Sequence, residues 1–320
     1  MKYRALVSSV VLAAGVVLTV RTIAKPAVSS LQSPKPPLRL NSKELEIYRH
    51  ARTVIDWTPR EIKNAPALYK VRASVNQDEL PEILQRVGEE GAAMNSDFRN
   101  VACDEHVYSE WNVGGPIATF RKMGPNEVAH QFRYIIIPRP ADDPLMFKEY
   151  RTNAEGRPLD LGSLADLRLI TTNFTGSWAY LNSSNQKESR FRFLGEESIR
   201  KQQCYVVGFA QIPDVAQNIS TFEVGDCSAV LLVQGVAWID KRSFHILKVE
   251  TWLLAPRTDI GLESQRTTVN YSPVRPAGLE NPLWLPQEVT VAVHFQSVYI
   301  RNTHLYSKFK LFRVESAIKP

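Results

Sequence analysis

The chain has 320 residues, 44% of them hydrophobic and 22% charged, which excludes a disordered or collagen-like protein and fits one large domain or one domain with a helical appendage. Lys and Arg number 39 against 33 Asp and Glu, but Lys2, Arg4 and Arg21 lie in the first 24 residues, which hold no acid, so the rest carries 36 against 33. Both signs then interleave, as in Glu188-Ser-Arg190-Phe-Arg192, and no cationic stripe forms; nucleic acid is excluded as a partner.

Residues 1–24 read as a signal peptide or N-terminal anchor. A cationic start is followed by Ala5–Val20, 16 residues without charge, shorter than the roughly 20 of a membrane span. Thr22-Ile23-Ala24 offers a small-residue cleavage site, and no cysteine is present there to take a lipid. Export follows, with membrane contact through this segment if it is not removed. Residues 25–40, with Pro34, Pro36 and Pro37, favour an extended tether.

Residues 41–100 read as a helical section. Asn41 with Glu44 and Thr58 with Glu61 are capping-box patterns, the second with Pro59 at the first helical position. A third and strongest helix is expected from Asn76 and Glu79 onward, with Leu80, Ile83, Leu84, Val87, Gly91, Met94 and Phe98 on one face.

From residue 101 to 320 the period changes to two. Val101–Trp111, Val128–Ile137 and Met146–Thr152 are expected strands. Over 164–181, Leu167, Ile170, Phe174, Trp178 and Leu181 recur at three and four, which predicts a covering helix. After Ser189 come Arg190–Leu194, Gln203–Gln211, Ala229–Ile239, Phe244–Leu254, Thr267–Tyr271, Gln287–Phe295 and Val298–Val314. Sequential hairpins without helical crossovers predict an antiparallel sheet curved into a barrel or half barrel. Residues 229–239 are apolar on both faces, so that stretch is expected to be covered on both sides or to line an apolar cavity.

Three cysteines, Cys103, Cys204 and Cys227, leave two readings. Either Cys204 and Cys227, which flank neighbouring strands, form a disulfide, or all three act as small apolar residues. No C-x-x-C, H-E-x-x-H, G-x-S-x-G or Gly-rich phosphate loop is present. Asp104 and His106 share one face of a strand; a metal would need further ligands, and a solvated strand face is the plainer reading. No catalytic residue, metal or cofactor is assigned, and the protein is read as not an enzyme.

Phe193-Leu-Gly195, Cys204-Tyr-Val-Val207, Val236-Ala-Trp-Ile-Asp240 and Phe244-His-Ile-Leu-Lys248 together resemble the strand-rich part of LolA-like open-barrel periplasmic proteins over about residues 189–312. That group includes lipoprotein-sorting carriers and uncharacterised secreted bacterial members. The resemblance implies an α+β fold: a strongly curved antiparallel half barrel with helices over its concave face, in the periplasm or cell envelope of a Gram-negative bacterium. It further implies a lipid, another apolar ligand or a lipidated protein in the hollow. Trp178, Phe193, Phe209, Trp238, Trp252 and Phe295 are the expected lining residues. An envelope structural or protein-interaction module with a filled core, and an enzyme with a dispersed active site, are the alternatives.

Overall fold

A computed structural model describes residues 19–23, 40–97, 100–113, 126–138, 147–159, 169–170, 176–217, 219–224, 227–276, 279 and 281–312. Residues 5–18 of the apolar stretch expected over 5–20, residues 25–39 of the tether expected over 25–40 and most of the helix expected over 164–181 lie outside these residues. Of that helix, Gly176–Leu181 is described, as a short 3-10 turn.

Strand β1 (Thr19–Ile23) is followed by helices α1 (Ser42–Arg49) and α2 (Pro59–Asn64), the two-residue β2 (Arg72–Ala73) and helix α3 (Leu80–Asp97). Strands β3 (Val101–Val113), β4 (Asn126–Pro138) and β5 (Phe147–Thr152) come next, then the Gly176–Leu181 turn. The rest is strand: β6 (Ser189–Ile199), β7 (Gln202–Gln211), β8 (Ile219–Val224), β9 (Cys227–Leu231), β10 (Val233–Asp240), β11 (Ile246–Leu253), β12 (Leu262–Val274), β13 (Leu283–Phe295) and β14 (Val298–Leu311). Both capping boxes close: Asn41 accepts from the Glu44 amide at 2.9 Å while Glu44 accepts from the Asn41 amide at 3.0 Å, and Thr58 and Glu61 repeat the exchange.

Eleven strands form one antiparallel sheet in the order β2-β6-β7-β10-β11-β12-β13-β14-β3-β4-β5; β1, β8 and β9 form a second, three-stranded one. The expected strand over 229–239 is thus two strands in different sheets. Its hydrophobic run is interrupted only at Gln234-Gly235, but the ladder breaks at Leu232, which carries the chain from one sheet to the other.

The inner side chains of the large sheet, from Val101 and Tyr134 through Phe193 and Phe209 to Val291 and Ile300, belong to one contiguous core. Nine of the eleven strands, all but the edge strands β2 and β5, share this core on one face and so describe a curled sheet, and β2 and β5 do not pair with one another. Strand β10 is buried at all eight positions. Val233, Ala237 and Ile239 enter the inner core, whereas Val236 and Trp238 pack outward against Val54, Ile62 and Leu68 of the N-terminal section. That explains a strand apolar on both faces.

A tight join holds the N-terminal section to the sheet. Gly195 (φ +136) sits at a register shift of the β6–β7 pair and lies against β2; a Cβ there would be 2.1 Å from the Arg72 carbonyl oxygen. Only glycine fits that approach.

Candidate functional site

The candidate site is the inner face of the sheet. Ile83 and Val87 of α3, Trp178 and Tyr180 of the 3-10 turn, and Phe222 and Leu231 of the small sheet share its core. Helix α3 turns this face inward because its apolar residues repeat at three and four. The hollow is filled by side chains. Tyr180 stacks on Phe209 at 5.2 Å, Trp178 on Tyr271 at 6.3 Å, and Phe222 packs on Phe295 at 5.1 Å. Phe209 has room because its strand partner is Gly235, where a Cβ would be 2.8 Å from the ring.

Of the six expected lining residues, Trp178, Phe193, Phe209 and Phe295 are buried in this inner core. Trp238 and Trp252 face the opposite way. Trp238 lies beneath the N-terminal section, with its indole N–H donating to Glu197 at 2.7 Å, and Trp252 stacks on Trp57 at 5.9 Å. They sit at register positions 234–252 and 238–248 of the β10–β11 ladder, on the face opposite Ala237 and Val249. The aromatic content alone does not distinguish the faces; strand parity does.

A cavity of ≈ 30 Å³ remains at the mouth, between α3 and the turn on one side and Phe244, Ile246, Tyr271 and Trp284 on the other. It has room for one or two waters. Two polar contacts cross there from α3 to the sheet side, Arg86 over the Phe244 ring at 4.5 Å and Glu90 3.6 Å from His245 Nδ1, while Gln186 Nε2 ties α3 to the covering turn by donating to the Leu84 carbonyl at 2.8 Å. Burial lowers the His245 pKa despite the opposing charge of Glu90. Gly91 lines this cavity, and a Cβ on it would meet nothing within 4 Å.

The other end of the inner face is charged. Glu105 on β3 is fully buried, and Arg151 on β5 grips it through two bonds, Nε at 2.6 Å and Nη2 at 2.7 Å. His304 Nδ1 lies 2.8 Å from Glu105 Oε1, and the buried His304 Nε2 has no hydrogen-bond partner. Burial alone would raise the Glu105 pKa, but the Arg151 charge and the His304 and Arg151 hydrogen bonds hold it at about 2. Asn302 Nδ2 donates to Ser109 Oγ at 2.8 Å alongside. The sequence reading passed over this trio, although alternation from Val101 and Cys103 to Val107 and Ser109 puts Glu105 on the inward face. Asp104 and His106 point outward; Asp104 pairs with Lys308 at 3.1 Å and Arg133 at 3.7 Å.

Cys103 and Cys204 are free, buried thiols. The expected Cys204–Cys227 bridge is therefore not formed here. Cys204 stands on β7 of the large sheet, with its Sγ 3.5 Å from the Gln202 carbonyl, whereas Cys227 is on β9 of the small one. Burial pushes the Cys204 thiol up to about 11, and burial with the Glu105 charge also raises that of Cys103, which keeps both in the protonated thiol form.

Several solved structures are similar to this chain. A putative outer membrane lipoprotein-sorting protein domain from Vibrio parahaemolyticus matches over 71% of this chain and 91% of its own, at 13% identity and TM-score 0.36. A DUF1329 family protein from Desulfovibrio piger matches over 73% and 95%, at 13% and 0.36. A LolA superfamily protein from Nitrosomonas europaea matches over 72% and 94%, at 14% and 0.32. The chain is similar to LolA-type proteins. These are the proteins that the strand strings over 189–312 resemble, and at such identities and TM-scores the likeness gives no ligand. No family model matches the chain, and no curated protein matches it in sequence.

Proposed function

We propose that the chain is an exported, non-enzymatic binding protein that takes an acyl chain or similar apolar group into the inner hollow, from a lipid or a lipidated protein, in the periplasm or cell envelope. The observation that carries this is the mouth: a largely apolar, aromatic seam between α3 with its turn and the sheet, with few polar links across it and the apolar end of the inner core behind. In the ligand-free state the hollow holds its own side chains. A ligand enters by displacing Trp178 and Tyr180 with the lid, and burial of each methylene returns about 0.8 kcal/mol. Export rests on the cationic start and uncharged stretch of the first 24 residues; no helix among the described residues is long and apolar enough to cross a membrane. The absence of enzymatic chemistry rests on the protonated thiols and on the occupation of Glu105 by Arg151.

Fluorescence titration with cis-parinaric acid tests the reading. Saturable binding by the wild-type chain, abolished in Gly91→Phe with an unchanged unfolding midpoint, is the expected result, because a ring at position 91 fills the mouth without a clash of its first carbon. No binding by the wild-type chain, or equal binding by the variant, refutes it.

A further inference from the structure

The outer face carries a second cavity that the LolA-type reading leaves unused. It measures ≈ 400 Å³ and lies between the N-terminal section and the sheet, walled by Trp57, Pro66, Leu68 and Trp252 and edged by Asn64 and Arg266. That volume lies in the range of roughly 300–1,000 Å³ typical of small-molecule sites.

The position of these residues follows from the local fold. Thr58 caps α2 and so starts it directly after Trp57, while Arg192 Nη1 donates to the Trp57 carbonyl at 2.5 Å and to the Ile55 carbonyl at 2.9 Å, pinning the segment to β6. Trp252 and Arg266 are register partners on β11 and β12. Their side chains stack, with the guanidinium 5.4 Å from the Trp252 ring, and Trp57 stacks on the same indole at 5.9 Å. Arg266 Nη1 donates to Glu250, which leaves its other N–H groups at the half-exposed rim. Asn64 is exposed and makes no side-chain bond. Glu61, also on the wall, is occupied by Thr58 and Arg52.

The available groups are therefore two indoles, one amide and one guanidinium around an apolar cleft. An acyl chain would leave the amide and guanidinium without use, and a cationic ligand would meet Arg266. A sugar ring satisfies both kinds of wall, with its C–H face on indole and its hydroxyl edge on amide and guanidinium. An N-acetyl group adds a methyl for the Pro66–Leu68 wall and a carbonyl for a rim donor.

We propose that the cleft between Trp57 and the β11–β12 outer face is a saccharide-binding site for N-acetylated hexose units, separate from the inner hollow.

Titration of the full chain with chitotriose, followed by tryptophan emission and calorimetry, tests this. The expected result is one saturable site, weakened about tenfold or more by Trp57→Ala and about threefold to tenfold by Asn64→Ala, and unaffected by Gly91→Phe. Asn64 is exposed, so its variant keeps the test open if Trp57→Ala does not fold. Absence of saturable binding at millimolar chitotriose, binding untouched by Asn64→Ala, or displacement of chitotriose by lauric acid overturns the proposal. Loss of cis-parinaric acid binding in Gly91→Phe with chitotriose binding intact separates this site from the hollow.

Discussion

The inner face has two ends built on opposite principles. From β6 through β13 it is apolar, and its stability comes from area removed from water, with Tyr180, Phe209, Phe222 and Phe295 as the large contributors. At β3, β5 and β14 the same face buries Glu105, Arg151 and His304. Two charges out of water repay their desolvation only while both are present and fully bonded. The apolar end is therefore graded, losing stability roughly in proportion to what is removed. The charged end is all or nothing, and fixes how β3, β5 and β14 sit against one another.

The largest expected effect breaks the charged end. Arg151→Met leaves Glu105 buried without its partner and should cost about 3–5 kcal/mol in urea denaturation. Replacing the trio together, Glu105→Leu with Arg151→Met and His304→Phe, should restore most of that loss; a triple variant as unstable as the single one would mean that the charges carry net stability. Next, Phe209→Ala at the apolar end should cost about 3–4 kcal/mol with a normal denaturation slope, since a cavity remains under Tyr180 and Gly235. A loss below about 1 kcal/mol would mean that the lid collapses into the gap.

Acid separates the ends further. Glu105 has a folded pKa of about 2 against an ordinary 4.5, so its contribution is complete above 4.5 and is lost as pH falls from there toward 2. His245 is also depressed from its ordinary 6.5, so the closed lid loses stability as pH falls through the folded pKa, below 6.5. Binding of cis-parinaric acid should accordingly be faster at pH 5 than at pH 7.5, and His245→Phe should remove that difference in stopped-flow traces. The smallest effect belongs to the outer face of β3: Lys308→Ala removes a solvent-exposed ammonium from Asp104, which keeps Arg133, and should leave the unfolding midpoint almost unchanged, because water and salt screen the exposed partner.

Much of the sheet was legible. Alternation along β3, β13 and β14 needs only a strand with one buried face, and both capping boxes are local patterns of four residues. The double-sided hydrophobicity over 229–239 left cover on both sides or an apolar cavity on one as alternatives, and β10 is covered on both sides. The faces of Trp238 and Trp252 were not legible, because a list of aromatic residues carries no parity until register is known. The outer cleft was hidden for the same reason: Trp57 and Trp252 are 195 positions apart in sequence and stack only after the N-terminal section folds over the β11–β12 face. Glu105 was half legible. Its inward phase is written in β3, but its partners lie on strands distant in sequence, at Arg151 and His304.

The sequence by itself determined where most strands of the large sheet and the two capped helix starts lie, that the sheet is antiparallel, and that half of the chain's +6 charge lies in residues 1–24. These depend on side-chain period, backbone caps and composition, all of which act over a few residues. Only the tertiary structure decided that the hollow is filled, which tryptophans face it, that Cys204 stays a thiol, and that a second cleft opens on the outer face. Each of those depends on which residues distant in the chain share a face and a layer, and such juxtapositions are set by packing of the whole sheet.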